Sequence, residues 1–296
     1  MLLIVPADPL RPRRPDPHFA PEAVAAREAG HAVGVVDHDA LAAGGDAARA
    51  VAALPPAGDA VYRGWMLSAA GYARFAQAAH ARGVVLRTGP QQYRRAHELP
   101  GWYADAAALT PESRWTVGDD RADFDRARAA LGGGPAVLRD WTKSAKHHWH
   151  EACLVPDLAD GETAWRVASR LRELRDDDFT GGFVLRRFER FVSAEVRTWW
   201  VDGRCVLTGP HPDTPDDSPG EPVDTGPLAP VLARLGLPFV TADLARREDG
   251  VWRLVEIGDG QVSDRPSTLD PQRLIDALAA VRPEDPRAVR AAPTPW

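Results

Sequence analysis

The segment Val137-Leu138-Arg139-Asp140-Trp141-Thr142-Lys143-Ser144-Ala145-Lys146-His147-His148 carries the densest chemistry in the chain. An apolar run leads into Arg139, and a loop with two ammonium groups and two hydroxyls follows. A guanidinium fork beside flexible point charges suits a polyphosphate, although GxxxxGK[ST] is missing; the plain alternative is a solvated basic turn. Of the 36 basic residues, 34 are arginine and only Lys143 and Lys146 are lysine. In so arginine-rich a chain, two lysines three residues apart point to positions that need a compact ammonium on a flexible stem.

A second group is acidic. Asp243 closes the apolar run from Phe239, and Glu256 closes the run from Trp252. Glu248-Asp249-Gly250 between them reads as a hairpin turn, which sets the two acids roughly opposite each other on antiparallel strands. Asp259 follows in Gly258-Asp259-Gly260. Three converging carboxylates call for a cation, and oxygen ligands suit magnesium; surface hairpin charge is the competing reading. Glu195 and Arg197 occupy alternate positions of one strand and share a face. The apolar strand Phe183–Phe188, with Arg187 and Phe188 at its end, offers backbone that could meet an adenine edge. His147, His148 and His150 lack both Cys partners and HExxH spacing, which disfavours zinc.

The elements that must hold these groups change character along the chain. Apolar runs at Leu2–Val5, Ala32–Val36, Ala60–Tyr62 and Val84–Leu86 alternate with helical stretches at 21–29, 39–54 and 68–82, with Gly30 and Gly83 as C-caps. This predicts βαβ units and a small parallel sheet over residues 1–90. No GxGxxG follows the first strand. Residues 91–134 read as a connecting region, with Pro100-Gly101 and Pro111 as breakers and a helix over 122–131. From Ala136 the pattern is α+β, with strands at 136–141, 183–191, 195–201, 204–208, 240–246 and 252–257, and a helix at 162–175. The proline-rich segment 209–227 reads as a long mobile loop, and residues 283–296 as a frayed tail.

Composition narrows the classes. A content of 44% apolar and 26% charged residues is ordinary for a globular chain with a core, and the net charge of −6 disfavours a nucleic-acid-coating role. No stretch is long and apolar enough to span a membrane, and the start lacks a signal peptide's basic region. Cys153 and Cys205 fall outside any CxxC. A cytoplasmic location is expected.

Taken in order, the basic strand-loop, a connecting helix, the Phe183 strand, a Glu-x-Arg strand, an Asp strand and the ending Glu256-Ile257-Gly258-Asp259-Gly260-Gln261-Val262-Ser263 resemble the ATP-grasp superfamily. The resemblance spans Val137–Leu278, and Leu2–Leu86 looks like the small α/β pre-ATP-grasp domain. It is nearest the bacterial and phage branch with arginine in place of the usual strand lysine, here Arg139. Asp259 stands one residue beyond the Asn of the common Glu-x-Asn ending, and the usual glycine-rich loop over the phosphates is missing unless Thr142–Lys146 replaces it. The resemblance implies a pre-ATP-grasp domain over 1–90 and an ATP-grasp region over 135–282. It also implies ATP and Mg²⁺ as cofactors, with a small-molecule or peptide carboxylate and an amine acceptor joined through an acylphosphate. Arg139, Lys143 and Lys146 would meet phosphates, the backbone near Arg186–Phe188, with Arg187 and Phe188 in the binding set, the adenine, and Glu195 the ribose. Asp243 would serve nucleotide and metal, Glu256 and Asp259 the metal, and Lys143 and Arg197 catalysis. An ADP-forming kinase on the same fold and a non-catalytic nucleotide-binding module are the alternatives.

Overall fold

Short apolar runs punctuated by alanine-rich stretches build the first sheet. The structure, a computed structural model, describes residues 1–217 and 220–280; the tail expected over 283–296 lies outside the described residues. β1 (Leu2–Asp8) lies between β3 (Ala32–Val36) and β4 (Ala57–Tyr62), parallel to both, and β5 (Val84–Leu86) continues parallel from β4. β2 (Arg11–Pro15) folds back antiparallel on the end of β1. α1 (Ala20–Glu28) and α4 (Ala69–Ala81) are followed by Gly30 and Gly83 at φ of +78° and +74°, the left-handed backbone that the expected C-caps require. The single helix expected over 39–54 is two short ones, α2 (His38–Ala42) and α3 (Ala47–Ala50). Gly44-Gly45 breaks it, and Asp46 restarts it by accepting hydrogen bonds from the Ala48 and Arg49 amides.

The stretch read as a connection is more ordered than expected. α5 (Pro90–His97) and α6 (Leu99–Ala106) precede β6 (Ser113–Trp115) and α7 (Arg121–Leu131). Pro100, expected as a breaker, sits in the first turn of α6, where no intrahelical N–H is required of it. Leu99, Trp102 and Ala106 bury one face of α6 against Val240, Ala242, Leu244 and Leu254.

Two antiparallel sheets follow. β7 (Ala136–Asp140), β8 (Leu154–Val155), α8 (Gly161–Arg175) and β9 (Phe183–Arg187) give the order β6-β9-β7-β8. β10 (Val196–Val201), β11 (Arg204–Pro210), α9 (Ala229–Leu235), β12 (Phe239–Arg246) and β13 (Trp252–Asp259) give β11-β10-β12-β13. β9 stops four residues short of the expected Phe191: the Phe188 amide still donates to the Pro135 carbonyl opposite it, but Pro135 has no N–H with which to carry the ladder further. α10 (Pro271–Ala280) returns to the first sheet. Its Ile275 packs with Leu3, Val5 and Phe19, while Leu274 and Leu278 pack with Val61, Trp199 and Phe239. No helix of the described residues is long and apolar enough to cross a membrane.

A polar seam ties the first sheet to the third. Arg63, 1% exposed, forks onto Glu22 at 2.7 and 2.9 Å and donates to the Gly260 and Ser263 carbonyls. Gln261 accepts from the Tyr62 amide and donates to the Tyr72 hydroxyl. Asp259 belongs to this seam. One carboxylate oxygen accepts from the Gln261 amide at 2.7 Å, while the other is buried with no hydrogen-bond partner. Burial pushes its carboxyl up to about 7.

Two outcomes follow from the seam. Arg63→Ala leaves Glu22 charged and buried, and denaturant unfolding should show a loss of about 3–5 kcal/mol. The folded chain keeps a proton on Asp259 up to about pH 7, whereas the unfolded carboxyl releases it near its ordinary value of 3.8. Stability contributed by that proton is therefore lost as the pH rises through this window. Asp259→Asn should gain stability relative to wild type as the pH climbs between those values, and the difference should level off above them. Urea unfolding across the range checks this, and a flat difference contradicts a buried neutral carboxyl.

Candidate active site

Strand register builds the acidic wall. Arg197 on β10 pairs with Asp243 on β12, and Asp243 pairs with Glu256 on β13, so three neighbouring strands place one cation and two carboxylates in a single row. Arg197 forks onto Asp243 with both contacts at 2.8 Å and reaches the Asp264 carbonyl at 3.2 Å. Burial alone would raise the Asp243 carboxyl, but the adjoining guanidinium overrides it and holds the group well below the usual range. Glu256 is half-buried, and although its partial burial acts the other way, the Arg139 guanidinium, assisted by Lys143, brings it down to about 2. Glu195, just before β10, is pushed upward by burial and then by the Asp243 charge.

The basic wall comes from the second sheet. Arg139, on β7 and 7% exposed, donates to Glu256 at 2.6 Å and also reaches the Thr142 carbonyl. Its Nε is buried without a hydrogen-bond partner. The loop beyond β7 is shaped by Asp140, which is fully buried. One of its oxygens accepts from the Thr142 amide and hydroxyl and the Lys143 amide, and the other from Arg175 and the Thr180 amide. So anchored, the loop delivers Lys143 and Lys146 to the space between the sheets. Lys146 pairs with Asp213, whereas Lys143 forms no ion pair among the described residues.

Between these walls lies a cavity of about 640 Å³, within the range of small-molecule sites. The structure brings Arg139, Lys143, Lys146, Arg187, Phe188, Glu195, Arg197, Asp243 and Glu256 to its lining. Asp259 is the correction. Side chains alternate along a strand, so the third residue after Glu256 points to the opposite face of β13, into the seam. Arg187 is placed differently from a phosphate ligand, because its guanidinium binds the Leu131 and Gly133 carbonyls at the end of α7. The Arg187 and Phe188 amides already donate to the Glu112 and Pro135 carbonyls, so neither N–H is left for an adenine edge. Of the two tryptophans beside the loop, Trp149 lines the cavity, while Trp141 donates to the Thr116 carbonyl and packs into the core.

The side-chain role of Arg186 escapes sequence reasoning, and so do the lining residues His97 and His211 altogether. Arg186, one step from Arg187 and so on the other face of β9, donates to the Val255 carbonyl and the Thr110 hydroxyl, tying the second sheet to the third. Burial lowers its guanidinium to about 10, leaving it charged at neutral pH. His97, at the end of α5, bonds through Nδ1 to the Tyr93 carbonyl, and burial brings it down to about 4, so the ring is neutral. His211 opens the segment read as a mobile loop, yet it packs into the cavity with Nε2 3.0 Å from Arg197 and 3.6 Å from Asp243. Glu195, His211 and Asp243 bring their ligand atoms within 4.8 Å of one another, with the Arg197 cation against two of them. His211 carries little local signal beyond its place between Pro210 and Pro212.

Known proteins share this architecture. A crystal structure of a RimK domain ATP-grasp protein from Sphaerobacter thermophilus DSM 20745 matches with a TM-score of 0.61 at 18% identity, covering 95% of this chain and 100% of that one. D-cycloserine synthetase DcsG gives the same TM-score and identity over 95% and 99% of the two chains. The ATP-grasp ligase PsnB, complexed with minimal precursor, Mg and ADP, matches with a TM-score of 0.57 at 15% identity over 94% and 97%. At such identities the likeness is one of fold. No curated protein matches the sequence. Residues 130–278, half of the chain, match the model of an ATP-grasp domain, family 3 of its clade, and the chain belongs to that ATP-grasp family.

Proposed function

We infer that this chain joins a carboxylate to an amine through an acylphosphate, converting ATP to ADP and phosphate. The coarser statement comes with the family: an ATP-grasp chain is an ATP-dependent ligase that works with ATP and magnesium. The observation that supports the finer reading is the row Arg197–Asp243–Glu256 facing Arg139 and Lys143 across one cavity. Phosphoryl transfer needs positioning and charge stabilisation more than a covalent side-chain nucleophile.

The residues present suit the nucleotide and its metal. Asp243 and Glu256 provide hard oxygen donors side by side, and a carboxylate oxygen bonded to arginine keeps a second lone pair. These two would hold magnesium, which supplies charge neutralisation on the phosphates. The buried Nε of Arg139 and the ammonium of Lys143 are donors suited to phosphate oxygens. Phe188, partly exposed at the cavity wall, offers a ring for the base, and Glu195 an acceptor for the ribose.

In the proposed reaction a substrate carboxylate oxygen bonds to the γ-phosphorus as the bond to the β–γ bridging oxygen breaks, and ADP leaves with that electron pair. The amine then bonds to the acyl carbon, phosphate departs with the C–O bond's electrons, and the amine proton passes to solvent. Lys143 follows the transferring group, while Arg197, fixed by Asp243, presents its charge beside it.

Incubating the chain with Mg·ATP, ¹⁸O-labelled carboxylates and amines (amino acids and dipeptides first) should place one ¹⁸O in the released phosphate. ADP formation with the label retained in a phosphorylated product and no free phosphate would instead indicate a kinase. Lys143→Arg keeps the charge but replaces a compact ammonium with a planar fork. It should raise the barrier by about 2–4 kcal/mol in kcat, with a smaller effect on nucleotide Kd. Wild-type turnover in that variant removes Lys143 from the chemistry.

A further inference from the structure

The chain that leaves β11 crosses from the third sheet to the second. The His211 amide donates to the Glu195 carbonyl at 3.1 Å, and the ring Nε2 lies 3.0 Å from Arg197, so this residue rests against the acidic row. Two residues on, Asp213 forms an ion pair with Lys146, on the loop beyond β7. Asp213 and Lys146 both line the cavity.

The turn that carries Asp213 is fixed by its neighbours. Pro212 locks one backbone angle. The Asp213 amide lies 3.2 Å from His211 Nδ1, and the Thr214 amide donates to the His211 carbonyl at 3.0 Å. With His211 held at the acidic row, the turn directs the Asp213 carboxylate to the opposite wall.

An anion is favoured at that place. The Lys146 ammonium, joined at longer range by Arg197, keeps the Asp213 carboxyl below its ordinary value. The two side chains are nevertheless 54% and 55% exposed, and an exposed pair adds little to stability. A ligand can therefore break it at small cost, unlike the deeper pair of Arg139 and Glu256. Lys146 is also one of only two lysines among 36 basic residues, a compact ammonium that suits a phosphate. A triphosphate brings more charge to that ammonium than one carboxylate does.

We propose that Asp213 is a built-in competitor of the nucleotide. Its carboxylate holds Lys146 in the ligand-free chain, a phosphate group of ATP displaces it, and Asp213 thereby sets the affinity for nucleotide. This rests on the reading that ATP occupies the cavity with Lys146 on its phosphates.

Calorimetric titration of Mg·AMPPNP into the whole chain tests the exchange in wild type, Asp213→Asn, Lys146→Gln and the double variant, with melting temperatures confirming that each folds. Asp213→Asn should tighten binding about two- to fivefold, the range that an exposed pair can account for. In the Lys146→Gln background the same change should alter affinity by less than about 1.5-fold. Unchanged or weaker binding by Asp213→Asn overturns the proposal. So does an equal gain without Lys146, which would mean that the carboxylate merely repels phosphate at a distance. If neither wild type nor any variant binds Mg·AMPPNP, the nucleotide reading of the cavity falls and this proposal with it. Binding without coupling between the two residues overturns this proposal alone.

Discussion

One ion pair spans the gap on which the rest of the site depends. Arg139 stands on β7 of the second sheet and Glu256 on β13 of the third, and they meet at 2.6 Å across the cavity. Arg139 is buried and would be costly without a counter-charge, so the half-buried Glu256 holds it in place. Arg186 supports the same junction from β9 through the Val255 carbonyl and the Thr110 hydroxyl. The consequence is a cavity in which Arg139, Arg197, Asp243 and Glu256 are already paired, while Lys143 has no ion-pair partner among the described residues. A nucleotide phosphate would replace Glu256 as the partner of Arg139, and a divalent cation would replace Arg139 as the partner of Glu256.

The first sheet contributes through its seam. Arg63, Gln261 and Asp259 fix the end of β13 against β4, and this also fixes Gly258, Val262 and Asp264 along the cavity wall. Buried polar groups of this kind act as register pins, because a slip of one residue would strand several of them at once. The seam thus links the parallel sheet to the acidic row of the third, and Met66 and Asp264 reach the cavity from either side of it.

Much of this was legible in the residues. The turn at 248–250 brings Asp243 and Glu256 nearly opposite, and a register shift between Asp243 and Leu244 completes the pairing, which local sequence does not reveal; the two lysines lie on one loop because they are three residues apart. The same arithmetic of alternation, carried further, separates Asp259 from Glu256 and Arg187 from Arg186: neighbours at odd spacing on a strand face opposite ways. What no local pattern carries is the long-range part. His211 is aimed by the course of a proline-rich loop, Pro100 is absorbed by the first turn of a helix, and Arg187 caps a helix distant in sequence. These outcomes depend on tertiary partners that a window of sequence does not contain.

The central claim is an exchange of partners at Glu256, and it has a signature in sign. Nucleotide affinity should be measured by calorimetry for wild type and Glu256→Gln, each with magnesium and with the metal chelated. Without metal, Glu256 would compete with phosphate for Arg139, so the variant should bind ATP more tightly than wild type. With magnesium, Glu256 would be a metal ligand on this account, so the variant should bind more weakly. A shift in the same direction under both conditions, or none under either, contradicts the account.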